Sequence, residues 1–166
     1  MKILIGIVLI FLFSVISISG QTINEAETEG ISFTWEIDEG LLHCTVRAET
    51  EGWIAVGFKP ERAMKGANII IGYVDKDSII LEDHYGTGTF SHSADTDLGG
   101  EKNLTIVQGT ENKGITEIEF TIPLDSGDEK DTVLSSGEMI SVILAYGKRD
   151  NLRSKHKSRG TVEITL

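Results

Sequence analysis

Short runs of alternating apolar and polar residues, separated by glycine-containing turns, fill this sequence after its first twenty residues. Every second residue is apolar in the runs 31–37 and 118–122. Alternation with a period of two is the pattern of a strand with one buried face. An apolar period of 3.6 residues does not persist over three turns in this region. The sequence therefore predicts an all-β fold, an immunoglobulin-like β-sandwich of about nine or more short antiparallel strands.

The first twenty residues have a different character. Lys2 precedes an apolar run over residues 3–18, and the small residues Ser17 and Ser19 follow the pattern of a signal-peptide cleavage site. A retained membrane anchor is the alternative, but the run is shorter than the roughly 20 residues that a spanning helix needs. We expect a signal peptide over residues 1–20 and one domain over residues 21–166. The mature protein is then secreted or periplasmic, with no stable membrane anchor.

Composition narrows the range of partners. The 166-residue chain has 15 Lys and Arg against 26 Asp and Glu, which gives a formal net charge of −11. An acidic surface argues against nucleic acid or anionic lipid as a partner, and favours a basic partner or simply solubility. The single cysteine, Cys44, cannot form an internal disulfide. Because Cys44 alternates in phase with Leu42 and Val46, we expect it to be buried.

Met64 is an unusual residue for its position. It lies in the polar segment 59–67, between the apolar runs 53–58 and 69–74. It either folds back to fill a gap at the edge of the core, or turns its thioether towards a metal or haem pocket. The residues alone favour packing.

The four histidines are the other candidates for chemistry. His43 alternates out of phase with Cys44 and should face solvent. His84 lies beside Asp83, where a histidine often only bonds a carboxylate. His92 lies in the stretch 86–100, which we expect to be the longest irregular loop and therefore a place for binding residues. His156 lies in a loop rich in Lys and Arg, and from sequence alone it is a surface histidine.

The order of several motifs resembles the DOMON family of extracytoplasmic β-sandwich domains, over nearly the whole chain from about Ile31 to the C-terminus. The motifs are G-W-x-A-V-G-F at 52–58, M-x-G-A-x-I-x-I-G-Y-V-D at 64–75, E-D-x-Y at 82–85, D-T-D-L-G-G at 95–100, I-E-F-T-I-P-L-D-S-G-D at 118–128 and H-x-x-R-G at 156–160.

Many members of that family bind haem b through one methionine and one histidine. The resemblance implies that Met64 and His156 are the axial ligands, because they match the two places. It also implies an electron carrier rather than an enzyme, working with a redox partner protein or a membrane oxidoreductase. The basic residues around His156 would pair with the haem propionates. The haem would be non-covalent, because the chain has no C-x-x-C-H motif. The expected pocket walls are Trp53, Phe58, Ile69, Ile71 and Tyr73.

Three alternatives stay open on sequence. His84 and His92 could replace a haem ligand, or could bind copper together with Met64, because imidazole and thioether suit that metal. Carboxylates of Asp95, Asp97 and Glu101 could instead bind calcium at an edge of the sandwich.

The third alternative is a sugar- or ligand-binding module without a redox cofactor. In that case Trp35, Trp53 or Tyr85 would stack on a sugar ring. Both tryptophans lie in apolar strands, which makes a place in the core more natural for them. Asn103 begins an N-x-T sequence that would accept a glycan in a eukaryotic secretory pathway.

Overall fold

The computed structural model describes residues 24–76 and 78–166, and the regular secondary structure in this part of the chain is almost entirely β-strand. The predicted signal peptide, residues 1–20, lies outside the described residues. The elements in chain order are β1 (Asn24–Thr28), β2 (Ile31–Asp38), β3 (Leu41–Ala48), β4 (Ile54–Phe58), β5 (Asn68–Asp75), β6 (Ser78–Gly88), β7 (Ser91–Ala94), a 3₁₀ helix (Asp95–Leu98), β8 (Thr105–Asn112), β9 (Ile115–Pro123), β10 (Met139–Tyr146) and β11 (Ser158–Thr165).

The strands form two sheets in which every paired neighbour is antiparallel. One sheet has five strands in the order β1-β2-β3-β9-β8, and the other has six in the order β11-β10-β4-β5-β6-β7. The predicted all-β sandwich is therefore confirmed. No helix in the described ranges is long and apolar enough to cross a membrane.

The core lies between the two sheets, where the alternating strands of the sequence point their apolar residues. The five-stranded sheet follows the pattern closely, because β9 alternates between buried and half-buried residues along its length. Cys44 is buried there as expected, and burial raises the pKa of its thiol. The largest fully buried side chains are Phe33, Phe58, Phe120, Ile31, Leu42, Ile54, Ile70, Ile118, Leu144, Val46, Val56 and Val142.

The six-stranded sheet is different because its centre is apolar on both faces. All five residues of β4 are buried, and so are the first five of β5. Continuous apolar runs of this kind are typical of strands that are covered on both sides. The second face carries its own apolar cluster, formed by Trp53, Ala55, Ala67, Ile69 and Ile71 with Met64, Tyr73, Ile143, Ala145 and Leu152 packed against it.

Two expectations about local structure were wrong. The stretch 86–100 is not an irregular loop: β6 runs on to Gly88, and β7 and the 3₁₀ helix follow within it. Strand β1 was also missed, because its sequence NEAET has almost no apolar residue to alternate. Both β1 and β7 are edge strands, where a strand needs less apolar surface than in the middle of a sheet.

Neighbouring residues of β10 test which face of the sheet is the core. Leu144 is fully buried between the sheets, whereas Ile143 is half-buried on the second face. We expect Leu144→Ala to lower the free energy of unfolding by about 2–5 kcal/mol, because it leaves a cavity in close-packed surroundings. Ile143→Ala should cost less. Urea denaturation measures both, and a larger loss for Ile143→Ala would contradict the assignment of the faces.

Candidate functional site

A large cavity lies over the second face of the six-stranded sheet. Its volume is about 1220 Å³, which exceeds the roughly 300–1,000 Å³ of most small-molecule sites. Its floor is made of outward-facing residues of β4, β5 and β10, and several of these are small. The floor residues are Trp53, Ala55, Gly57, Ile69, Ile71, Tyr73, Ile143 and Ala145.

Two loops border the cavity, and they leave opposite ends of the sheet. The β4–β5 loop follows Phe58, whereas the β10–β11 loop follows Tyr146, which pairs with Ile54 at the other end of β4. The first loop carries Met64 and the second carries His156, and both residues line the cavity. The fold thus brings these two predicted ligands, 92 positions apart in sequence, to the same cavity from opposite ends of the strands.

The loop around Met64 is held by backbone hydrogen bonds. The Ala67 amide donates to the Met64 carbonyl oxygen at 3.1 Å, and the Gly66 amide donates to the Gly86 carbonyl oxygen of β6 at 2.8 Å. Gly86 passes so close that an added Cβ would overlap the Met64 carbonyl oxygen. Ala63 has a φ of 53°, a left-handed conformation that costs an L-residue about 1–2 kcal/mol. Strain of this kind concentrates at functional sites.

Trp53 anchors the loop that carries His156. Its indole Nε1 donates to Ser154 Oγ at 3.0 Å, and its ring lies against Gly147 so closely that a Cβ there would overlap it. Its backbone is tied to the same loop, because the Gly147 amide donates to the Trp53 carbonyl oxygen at 2.8 Å. The buried indole therefore fixes the position of the β10–β11 loop over the cavity.

His156 is half-buried at the edge of the cavity among basic side chains. Burial, followed by the charges of Arg159 and Lys155, lowers the pKa of its imidazole. The ring is therefore neutral at neutral pH, and neutral imidazole is the form that binds metals. Arg153, Lys155 and Arg159 line the same rim and are exposed. This end of the cavity can accept an anionic group.

Two further histidines, His84 and His92, line the cavity at the end nearer Met64. His84 Nδ1 lies 2.8 Å from His92 Nδ1, and His84 Nε2 lies 2.8 Å from Glu82 Oε2. Burial, followed by the proximity of His84, lowers the pKa of His92. If His84 Nε2–H donates to Glu82, then His84 Nδ1 accepts from His92 Nδ1–H. In that arrangement both nitrogens of His84 are engaged, and His92 Nε2 keeps a free lone pair.

The remaining predicted site residues fall in different places. Trp53, Ile69, Ile71 and Tyr73 line the cavity as wall residues should. Phe58 does not, and this assignment is corrected: its side chain points into the core between the sheets, edge-on to Phe33 at 6.0 Å. The cause is alternation along β4, which sends Trp53, Ala55 and Gly57 to the cavity and the residues between them to the core.

The aromatic residues proposed for sugar stacking are not free to stack. Trp35 is buried in the core and lies parallel to Phe33, with ring centroids 5.3 Å apart. Trp53 is buried under the β10–β11 loop. Tyr85 is half-buried, with the Lys130 ammonium 5.9 Å from the centre of its ring.

The predicted calcium ligands do not come together either. Asp95 is fully buried, whereas Asp97 and Glu101 are exposed, and Asp97 lines the large cavity. Asp95 groups with Asp83 and Asp131 instead.

Several residues at the cavity were not predicted from the sequence. Ala55, Ile143 and Ala145 form its floor, and Ser154 holds the Trp53 indole. A signal for the floor existed in the continuous apolar run of β4, because a strand covered on one face only would alternate. Ser154 had no such signal, since its partner lies 101 residues away.

The fold and the cavity define a class of protein: a two-sheet β-sandwich with a large cavity on the outer face of one sheet. The chain belongs to the DOMON domain family, whose pattern matches residues 27–147.

Relatives and neighbours agree with this assignment. MOXD1 homolog 2 from Drosophila melanogaster is 25% identical over 116 residues, a match that covers 70% of this chain and 15% of that much longer protein. The fold is similar to the cytochrome b domain of pyranose dehydrogenase from Coprinopsis cinerea, with a TM-score of 0.66, 14% identity and coverage of 90% of this chain and 84% of that one. It is also similar to the cytochrome domain of Myriococcum thermophilum cellobiose dehydrogenase, with a TM-score of 0.63, 11% identity and coverage of 87% and 81%.

Removing the anchor of the β10–β11 loop should loosen that loop alone. Ser154→Ala leaves the buried Trp53 Nε1–H without its acceptor, which should cost about 1–3 kcal/mol. Hydrogen exchange should become faster in residues 147–157 and stay unchanged in β9. Ser135→Ala, a serine outside this loop with no side-chain bond to Trp53, is the control. Unchanged protection of residues 147–157 in Ser154→Ala would show that the hydrogen bond does not hold the loop.

Proposed function

We propose that this domain binds haem b non-covalently in the cavity on its six-stranded sheet and acts as an extracytoplasmic electron-transfer module. The observation that carries the proposal is that one apolar cavity is bordered by both Met64 and His156, on loops from opposite ends of the strands. A thioether and a neutral imidazole are suitable ligands for haem iron. Haem b, when bound, supplies a reversible one-electron iron couple.

The chain's own residues would determine how that couple behaves. Met64 would favour the ferrous state, because a thioether ligand raises the potential relative to a second histidine. If Met64 and His156 both held the iron, no ligand position would be left for oxygen, so the site would suit electron transfer rather than oxygen activation. The apolar floor would exclude water from the buried face of the ligand.

The rim fits the polar edge of the same ligand. Arg153, Lys155 and Arg159 are exposed at the edge of the cavity next to His156, where their charges can pair with propionates. Glu82 and Asp97 make the side of the cavity over β6 and β7 acidic, across the sheet from β10 and β11. This difference in charge favours one orientation, with the propionates towards the β10–β11 loop.

A module of this kind requires a redox partner, either a second protein or a membrane oxidoreductase. The two structural neighbours are cytochrome domains of dehydrogenases. We infer an electron-carrying role for this chain rather than an enzymatic one, together with secretion after cleavage near residue 20. Exposed basic side chains at the rim would make partner association depend on ionic strength.

Ligand variants test the assignment by absorption spectroscopy after reconstitution with haem b. Wild type should give sharp low-spin bands in the reduced state and should not bind carbon monoxide readily. His156→Ala should give a high-spin spectrum or lose haem. Met64→His should stay low-spin with a lower midpoint potential. His43→Ala, on the outer face of the five-stranded sheet, should be indistinguishable from wild type.

Variants of His84 and His92 would give the result that contradicts this ligand assignment. If His92→Ala or His84→Ala abolished the low-spin bands while His156→Ala left them intact, the ligand assignment would be wrong. If wild type took up no haem at all, the sugar- or ligand-binding alternative would replace the electron-transfer function.

A variant that changes neither ligand tests the contact between β6 and the Met64 loop. Gly86→Ala places a methyl group where the Met64 carbonyl oxygen lies, so the loop must shift. We expect a larger high-spin fraction in reconstituted Gly86→Ala. The matched control is Gly88→Ala on the same strand, because the added methyl group would meet only the Oγ of the exposed Ser91, which can rotate away. Equal low-spin spectra for both variants would argue against Met64 as a ligand.

A further inference from the structure

Three aspartates converge on the side of β6 that faces away from the cavity. Asp83 lies in β6, Asp95 begins the 3₁₀ helix after β7, and Asp131 lies in the β9–β10 loop. One carboxylate oxygen of each lies within 4.8 Å of the other two. Asp83 and Asp95 are buried, with 4% and 0% exposure, and Asp131 is half-buried. Three carboxylates this close together repel one another when ionised, so they need hydrogen-bond donors, protons or a cation between them.

Only some of the carboxylate oxygens in the cluster accept hydrogen bonds. Asp83 Oδ2 accepts from the Asn103 amide at 3.0 Å. Asp131 accepts from Asn68 Nδ2 at 2.9 Å and from Ser126 Oγ at 2.6 Å. In contrast, both carboxylate oxygens of Asp95 and the Oδ1 of Asp83 are buried without a hydrogen-bond partner. Leaving such groups unpaired costs several kcal/mol each, in order of magnitude.

A neutral side chain beside the cluster also has an oxygen without a hydrogen-bond donor. Asn68 is 4% exposed, and its Oδ1 is buried without a partner although its Nδ2 is bonded to Asp131. The Asn68 amide therefore adjoins the cluster, and its oxygen is buried with nothing to bond. All four unpaired atoms of Asn68, Asp83 and Asp95 are oxygen acceptors, so the cluster lacks positive charge or protons.

No basic side chain forms an ion pair with the cluster in the described part of the chain. The four ion pairs found there do not include Asp83, Asp95 or Asp131. The ammonium of nearby Lys130 lies over the Tyr85 ring, and its charge offsets only part of the burial and repulsion that raise the pKa of Asp95. Asp128 adds a further negative charge nearby, and its carboxylate accepts from the backbone amides of Glu101 and Lys130.

We propose that Asp83, Asp95, Asp131 and the Asn68 side-chain oxygen form a binding site for a calcium ion. Carboxylate and amide oxygens are hard ligands that suit Ca²⁺ or Mg²⁺ and not the soft metals. Ca²⁺ takes six to eight oxygens in irregular geometry, whereas Mg²⁺ requires a near-octahedral set and keeps several waters. A buried cluster drawn from four separate segments matches the calcium preference.

Calcium at this site would join parts of the chain that are distant in sequence. Asp83 directly precedes His84 in β6, and Asp95 directly follows β7, which carries His92. Both histidines line the large cavity from the other face of the β6–β7 hairpin. The ion would therefore hold one wall of that cavity to the β9–β10 loop, although its binding does not depend on the proposed haem function.

Calorimetric titration of chelator-treated wild type with CaCl₂ tests the site directly. We expect one ion per chain, with a dissociation constant at or below the 10⁻⁴–10⁻³ M order of magnitude of extracellular calcium modules. Asp95→Asn, which keeps the side-chain shape, should weaken binding at least about tenfold. Asp131→Asn is a second variant, at a less buried position, in case Asp95→Asn does not fold. Glu129→Gln, an exposed acid in the same loop as Asp131, should bind like wild type.

Thermal unfolding gives an independent readout. Millimolar CaCl₂ should raise the melting temperature of chelator-treated wild type, because a ligand that binds only the folded state stabilises it. The same addition should raise the melting temperature of Asp95→Asn much less.

Three results would overturn the proposal. No uptake of Ca²⁺ by wild type at about 10 mM, with the same melting temperature with and without the ion, would show that the carboxylates share protons instead. Binding of Ca²⁺ by Asp95→Asn as tight as that of wild type would show that the ion lies elsewhere. Equal affinity for Mg²⁺ would reject calcium as the ion for which the site is built.

Discussion

Two-sided burial of the six-stranded sheet is the constraint on which the rest of this structure depends. One face of β4, β5 and β10 packs against the five-stranded sheet, and the other forms the floor of a cavity of about 1220 Å³. An apolar face of this size is rarely left open in a soluble domain. The loops at both ends of the strands, together with whatever the cavity binds, must cover it. The function of the domain follows from this requirement.

The two loops that border the cavity are positioned in different ways. The Met64 loop depends on the backbone, because it is bonded to Gly86 and that contact leaves no room for a side chain. The β10–β11 loop depends on one side chain, the buried Trp53 indole, which bonds Ser154 and packs on Gly147. If Met64 and His156 bind the proposed haem, ligands held in this way would need little reorganisation. Contacts within the chain thus hold both polar loops over the cavity.

The sequence predicted the sandwich well because the apolar pattern of each strand follows its burial. Strands β2 and β9 are buried on one face and alternate, whereas β4 and β5 are buried on both faces and have continuous apolar runs. The sequence indicated Met64 and His156 as candidate ligands, and both line the cavity, but it could not tell which face Phe58 took without a register for β4. Contacts between distant segments left no trace in local pattern. The bond from Trp53 to Ser154 and the convergence of Asp83, Asp95 and Asp131 exist only once the sheets are paired.

The central claim is that Met64 and His156 together hold a haem iron in the cavity of this DOMON domain. The most direct measurement is the near-infrared absorption and magnetic circular dichroism spectrum of the ferric, haem-loaded wild type. Methionine and histidine ligation predicts a low-spin spectrum with the charge-transfer band of a sulfur–iron bond, and the band should disappear in Met64→His while the haem stays low-spin. A low-spin spectrum without that band in wild type would mean that two nitrogens hold the iron, and would contradict the account.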